Sequence, residues 1–221
     1  KLRSFIYKSF YKISPLGLTL PVIKEEKFEF RKDILNLSIP VYLDGYWQNE
    51  KYFNKFRLQI LELLKLKSIE NDNFGYYHSK IKNSNSICMH VRRGDYISNP
   101  QASRVHGIIN KDFYLDSLSR ISKHVDKPVV FIFSDDLDWV KNNLSFNHEK
   151  VIVDLDDIDH PELDLILMSF CQNFIIANSS FSWWAAWLSN SKNKKIIAPK
   201  NWFLDNKLNK NMNLPKDWIR I

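Results

Sequence analysis

Ile87-Cys88-Met89-His90-Val91-Arg92-Arg93-Gly94-Asp95-Tyr96 is an apolar run that stops at two adjacent arginines, a glycine and an aspartate. A buried strand that ends at a charged ligand has this form. Parallel strands covered on both faces are apolar nearly throughout, and open α/β sheets bind ligands beyond the strands' carboxyl ends. A guanidinium carries five donors in a planar fork that fits phosphate or carboxylate oxygens. Alternation along the strand puts His90 and Arg92 on one face and Val91 and Arg93 on the other.

Outward from this stretch, strand and helix patterns alternate. Residues 92–110 read as a polar loop. Phe113, Leu115, Leu118, Ile121 and Val125 recur at close to helical spacing over residues 111–125. Residues 128–133 form an apolar run, followed by Ser134-Asp135-Asp136, where Ser134 is a natural N-cap for a helix to about Asn143. Strands are expected at 151–153, 174–177 and 195–198, and helices at 181–188 and from Pro161 to about Cys171, with the proline at the first turn. This alternation predicts an α/β fold, a Rossmann-like parallel-sheet domain over residues 80–221. Residues 1–79 read as a partial N-terminal α/β domain, with a strand at 41–43 and an amphipathic helix over 50–67.

The chain has 221 residues, a formal charge of +7 and 44% hydrophobic residues, enough for a substantial core. It contains no run of 18 apolar residues, so no membrane-spanning helix is expected. Lysine and asparagine are scattered rather than gathered into a basic arm, so nucleic acid is not an expected partner. The basic, aromatic residues 1–39 permit peripheral contact with anionic lipid. Cys88 and Cys171 lie in apolar segments and read as buried thiols. That fits a reducing compartment, the cytoplasm, including the inner face of its membrane.

Two further segments carry chemistry. Asn178-Ser179-Ser180-Phe181-Ser182-Trp183-Trp184 follows one strand and opens a helix. Hydroxyls and free backbone N–H groups at a helix start bind anions, although ordinary serine capping looks the same. Its tryptophans are expected to pack on the sheet. Asp154-Leu155-Asp156-Asp157 holds an Asp-x-Asp spacing found in metal sites, but a solvated acidic turn is the favoured reading. Asp164 stands out inside an apolar helix, among Leu163, Leu165, Ile166 and Leu167.

Together these segments resemble the α-1,2-fucosyltransferase family, inverting enzymes with a GT-B-like fold. The match is carried by His90-Val91-Arg92-Arg93-Gly94-Asp95-Tyr96, Ser134-Asp135-Asp136, and Asp164 through Asn178-Ser179-Ser180-Phe181-Ser182-Trp183-Trp184. Asp44-Gly45-Tyr46-Trp47-Gln48, Tyr52-Phe53, His106-Gly107 and Phe113-Tyr114 add to it. The resemblance covers roughly residues 40 to 200.

It implies transfer of L-fucose from GDP-β-L-fucose to the 2-hydroxyl of a terminal β-galactoside, on an oligosaccharide, polysaccharide (O-antigen) or lipid-linked sugar. Arg92 would hold the diphosphate, with His90 and Arg93 shaping its loop. Asn178, Ser179, Ser180, Phe181 and Ser182 would line the phosphate side, Asp164 would meet the guanine edge, and Asp135 would border the pocket. No metal or other cofactor is implied. Asp95 and His106 are the candidates for general base; Asp95 could instead pair with Arg93. A glycine-rich segment that family members carry early in the first domain is not found, so that domain is expected to be partial. A non-catalytic nucleotide- or glycan-binding module is the alternative.

Overall fold

The computed structural model describes residues 20–221, apart from 26–27, 66–70, 158 and 213. It divides into two compact units, residues 1–55 with 211–213, and residues 56–210 with 214–221.

In the first unit, β1 (Val22–Lys24) and β2 (Tyr42–Asp44) pair in parallel, Val22 opposite Tyr42. The Glu25 carboxylate accepts from the backbone N–H groups of Tyr46 (2.7 Å) and Trp47 (3.0 Å) and so fixes the turn after β2. A side chain on Gly45 would collide with Glu25, which accounts for the glycine there. The helix expected over residues 50–67 is interrupted. Two 3-10 turns (Glu50–Tyr52 and Asn54–Phe56) precede α1 (Arg57–Leu63), which belongs to the second unit, while Leu66 and Lys67 lie outside the described residues.

The second unit carries a six-stranded parallel sheet. Its strands are β3 (Asn85–Val91), β4 (Pro128–Ser134), β5 (Glu149–Ile152), β6 (Asn173–Ile175), β7 (Ile196–Ala198) and β8 (Ile219–Arg220). They lie in the order β5-β4-β3-β6-β7-β8, every neighbouring pair parallel. Counted from β3, this is the doubly wound order 3-2-1-4-5-6, the expected Rossmann-like arrangement. The order reverses between β3 and β6.

Register puts Ile87, Met89, Val130 and Ile132 on one face of the sheet. They form a core with Tyr114, Leu118 and Ile121 of α5 (Lys111–Ser122) and with Val140 of α6 (Leu137–Asn143). Cys88, His90, Phe131 and Phe133 occupy the opposite face. Cys88 and Cys171 are buried and form no disulfide.

Residues 92–110 are not a loop throughout: α3 (Gly94–Ser98) and α4 (Pro100–His106) form there. Asn99 caps α4 by accepting from the backbone N–H groups of Gln101 and Ala102, and Pro100 opens its first turn. Helix α2 (Asp72–Lys82), which the sequence pattern does not reveal, is capped by Asn71. Ser134 is the last residue of β4, not a helix cap. Asp136 caps α6 instead, accepting from the Trp139 N–H at 3.0 Å.

Candidate active site at the strand-order reversal

The register Val91 opposite Ser134 continues past the strand ends. It brings Arg92-Arg93 alongside Asp135-Asp136. One Arg92 Nη lies 3.0 Å from Asp135 Oδ2 and the other 2.9 Å from Asp95 Oδ1, while Arg93 Nε donates to Asp136 Oδ2 at 3.1 Å. The expected pairing of Asp95 with Arg93 is therefore wrong. Arg93 points to the other face, where its guanidinium lies 4.2 Å from the Trp139 ring centroid. Asp95 follows Arg92 by three residues and meets it on its own side.

Asp135 is held twice, since its second oxygen accepts from the Arg93 backbone N–H at 2.8 Å. Gly94 makes room for it: a Cβ there would lie 2.8 Å from Asp135 Oδ2. The Arg92 side chain is 33% exposed, Asp95 46% and Asp135 26%, so the cluster is open to solvent on one side.

Across the reversal, β6 runs into α7's successor, the helix α8 (Ser180–Leu188); α7 itself is Pro161–Ser169. Ser179 caps α8, its Oγ accepting from the Phe181 N–H at 3.3 Å, and Ser180 is exposed at the first turn. Ser182 faces inward, its hydroxyl directed at the carbonyls of Ala177 and Ser179, so its side chain serves the helix. Trp183 is buried, with ring centroids of Trp187 and Trp218 at 6.1 and 5.6 Å, and so packs as expected.

The two edges are tied together. Tyr96 Oη donates to the Asn178 carbonyl at 2.9 Å. Asn178 Nδ2 donates to the carbonyls of His106 (2.8 Å) and Trp202 (3.2 Å). His106 is stacked on Tyr96, with ring centroids 4.9 Å apart and planes within 1°, and lies 5.4 Å from the Phe203 ring. His90 is 4% exposed and sits 5.7 Å from Phe181. Buried polar atoms at this edge without a hydrogen-bond partner include His90 Nδ1, His106 Nδ1, Asn178 Oδ1 and the ion-paired Asp95 Oδ1. Buried groups of this kind are normally satisfied, and exceptions collect at functional sites.

Burial pushes His90 from 6.5 down to about 4, against the opposing pull of Asp135. Burial likewise lowers His106, with Asp95 pulling the other way. Both imidazoles are therefore neutral at pH 7. Asp164 is raised to about 6, first by burial and then by Asp154 and Asp157. Its charged neighbours are thus the acidic loop after β5, not the arginines. Among the described residues, no three His, Cys, Asp or Glu side chains group closely enough to hold a metal ion.

Residues 22–221 match the family described as Glycosyl transferase family 11. The chain belongs to glycosyl transferase family 11. An alpha-1,2-colitosyltransferase of Escherichia coli is 34% identical over 220 residues, which is 99% of this chain and 75% of that protein. The O-antigen biosynthesis glycosyltransferase WbnK of Escherichia coli is 34% identical over 168 residues, 74% of this chain and 56% of its own length. Galactoside 2-alpha-L-fucosyltransferase SEC1 of Bos taurus is 26% identical over 155 residues, 67% of this chain and 42% of its own. The family 11 chain described here thus spans 42% to 75% of these relatives. Its reversal-point residues Tyr96, Trp139, Trp202 and Phe203 are the participants that sequence reasoning left without a role. Aligning Val91-Arg92-Arg93 with Ser134-Asp135-Asp136 is the signal that would have paired the charges.

No helix among the described residues is long and apolar enough to cross a membrane.

Proposed function

We propose that this family 11 glycosyltransferase moves L-fucose from GDP-β-L-fucose to the 2-hydroxyl of a terminal β-galactoside, with inversion. The observation that supports this most is the meeting of the arginine-bearing end of β3 with the serine-capped start of α8 where the strand order reverses. Ligands of doubly wound sheets bind at this crevice, and a helix start adds N–H donors and about half a positive charge. The colitosyltransferase is named for an alpha-1,2 linkage and the Bos taurus relative for 2-alpha-L-fucosyl transfer to a galactoside.

In this reading Arg92 binds the diphosphate and stabilises the charge that grows on it as the sugar leaves. Because the arginine and the helix start supply that charge, we propose that no metal ion is needed. Asp164 accepts from the N–H edge of the guanine. His106 takes the proton of the acceptor hydroxyl: its imidazole is neutral at pH 7, and Asp95 is the charge that favours the imidazolium formed. The C2 hydroxyl of the acceptor attacks the anomeric carbon from the side opposite GDP, so a β-linked donor becomes an α-linked product.

The test is incubation with GDP-fucose and a β-galactoside, with the product linkage read by NMR. An α-1,2-fucosylated product is expected. GDP binding without transfer would instead favour a non-catalytic binding module. A second donor deserves the same assay, because the relative matched over 99% of the chain is named for colitose. Transfer of colitose but not fucose would keep the site roles and change the sugar.

A further inference from the structure

The charges at the end of β3 do not favour an incoming anion as they stand. Arg92 and Arg93 supply two positive charges, and Asp95, Asp135 and Asp136 supply three negative ones, all in direct ion pairs. The half charge at the start of α8 does not reverse that balance. A diphosphate that takes both Arg92 Nη groups in bidentate fashion competes with these carboxylates.

The two partners of Arg92 are built differently. Asp135 is braced: one oxygen meets Arg92 and the other accepts from the Arg93 backbone N–H, with Gly94 packed beneath. Among the described residues, Asp95 has Arg92 alone within ion-pair reach, and its Oδ1 is not aligned for a hydrogen bond despite the 2.9 Å separation. It is also the more exposed of the two side chains. Partly exposed pairs of this type are weak, and a bidentate phosphate contact is stronger.

We propose that Asp95 is a placeholder for the ligand's diphosphate on Arg92, and that Asp135 is the strut that keeps Arg92 in position during the exchange. The inference rests on the reading of Arg92 as the diphosphate site. Donor binding breaks the Arg92–Asp95 pair and leaves the Asp95 carboxylate to act on His106, whose charge it already influences. Donor binding and preparation of the base are then one event, so donor precedes acceptor.

Calorimetric titration with GDP tests this on the whole chain. Asp95→Asn keeps the shape and removes the competing charge, and should tighten GDP about two- to fivefold; Asp95→Ser should do the same. Asp135→Asn should weaken GDP, and transfer by Asp135→Asn should lose kcat more than it raises KM for the acceptor. Asp138→Asn is the control for the general field, since Asp138 is 93% exposed and its nearest partner is Lys141 at 3.9 Å. It should leave GDP affinity unchanged. Unchanged or weaker binding by both Asp95 variants, with wild-type binding intact, would overturn the placeholder and leave the diphosphate site standing. Equal tightening by Asp138→Asn would also overturn it. Failure of the wild-type chain to bind GDP would remove both readings.

Discussion

At its first turn, helix α8 keeps Ser180 in solvent and has one N–H group, that of Phe181, capped by Ser179. At its last turn the valences are filled. Arg57 donates to the carbonyls of Trp187 and Ser189 at 2.9 Å each, and to Asn190 Oδ1 at 3.1 Å. Lys194 donates to the carbonyls of Ala186 and Ser189 at 2.7 Å. Burial, and then Arg57, lower Lys194 to about 8. Both ends carry the helix dipole, and cations suit the carboxyl end. The difference lies in how the polar groups are used: at one end they are taken up in holding the helix, and at the other the proposed function gives them to the donor. Damage to the two ends should therefore be read by different instruments.

The largest expected effect is at the ligand end. Arg92→Ala should reduce transfer about a hundred- to thousandfold while the melting temperature changes little; undiminished transfer would break the contrast outright.

The next effect concerns two titrating groups. His90 is lowered from 6.5 to about 4, so the unfolded chain takes up its proton first, and stability falls as pH drops from 6.5 toward 4. Asp164 is raised from 3.8 to about 6, so its ionisation opposes folding above pH 6, and stability returns as pH drops from 6 toward 3.8. Each is worth about 3 kcal/mol over its window, and the two offset one another. Thermal unfolding of Asp164→Asn should show a steeper loss between pH 6.5 and 4 than the wild type, and His90→Gln a gain. Parallel profiles for all three would contradict the assignment.

At the filled end, Arg57→Ala should cost about 2 kcal/mol of stability by stripping charged hydrogen bonds from the last carbonyls. GDP affinity should hold, and a matching loss of affinity in calorimetry would show that the two ends are not separable. The smallest effect belongs to Ser180→Ala. Stability should stay within about 0.5 kcal/mol, and GDP should bind about two- to fivefold more weakly.

The sheet was legible because strands buried on both faces are apolar runs, as at residues 87–91 and 128–133. The missed pieces are of another kind. Helices α3 and α4 are short and polar, and only Asn99-Pro100 signals the second of them. Strand β8 has two residues, fewer than an alternation pattern needs. In the site, residue types were readable but partners were not. Whether Asp95 meets Arg92 or Arg93 depends on which face each leaves, and Arg92 meets Asp135 through the β3–β4 register, a long-range fact. Asp164's neighbours likewise come from a loop seven and ten residues upstream that has to fold back over it.

Asn178 joins α3, α4 and the segment around Trp202 by way of main-chain oxygens: it donates to the carbonyls of His106 and Trp202, and its own carbonyl accepts from Tyr96. Wiring of this sort is indifferent to most of the side chains it connects. Under the proposed function, the segments around the site can exchange residues while the scaffold that aligns them stays the same. A lineage can thus change what it recognises without first learning to fold again.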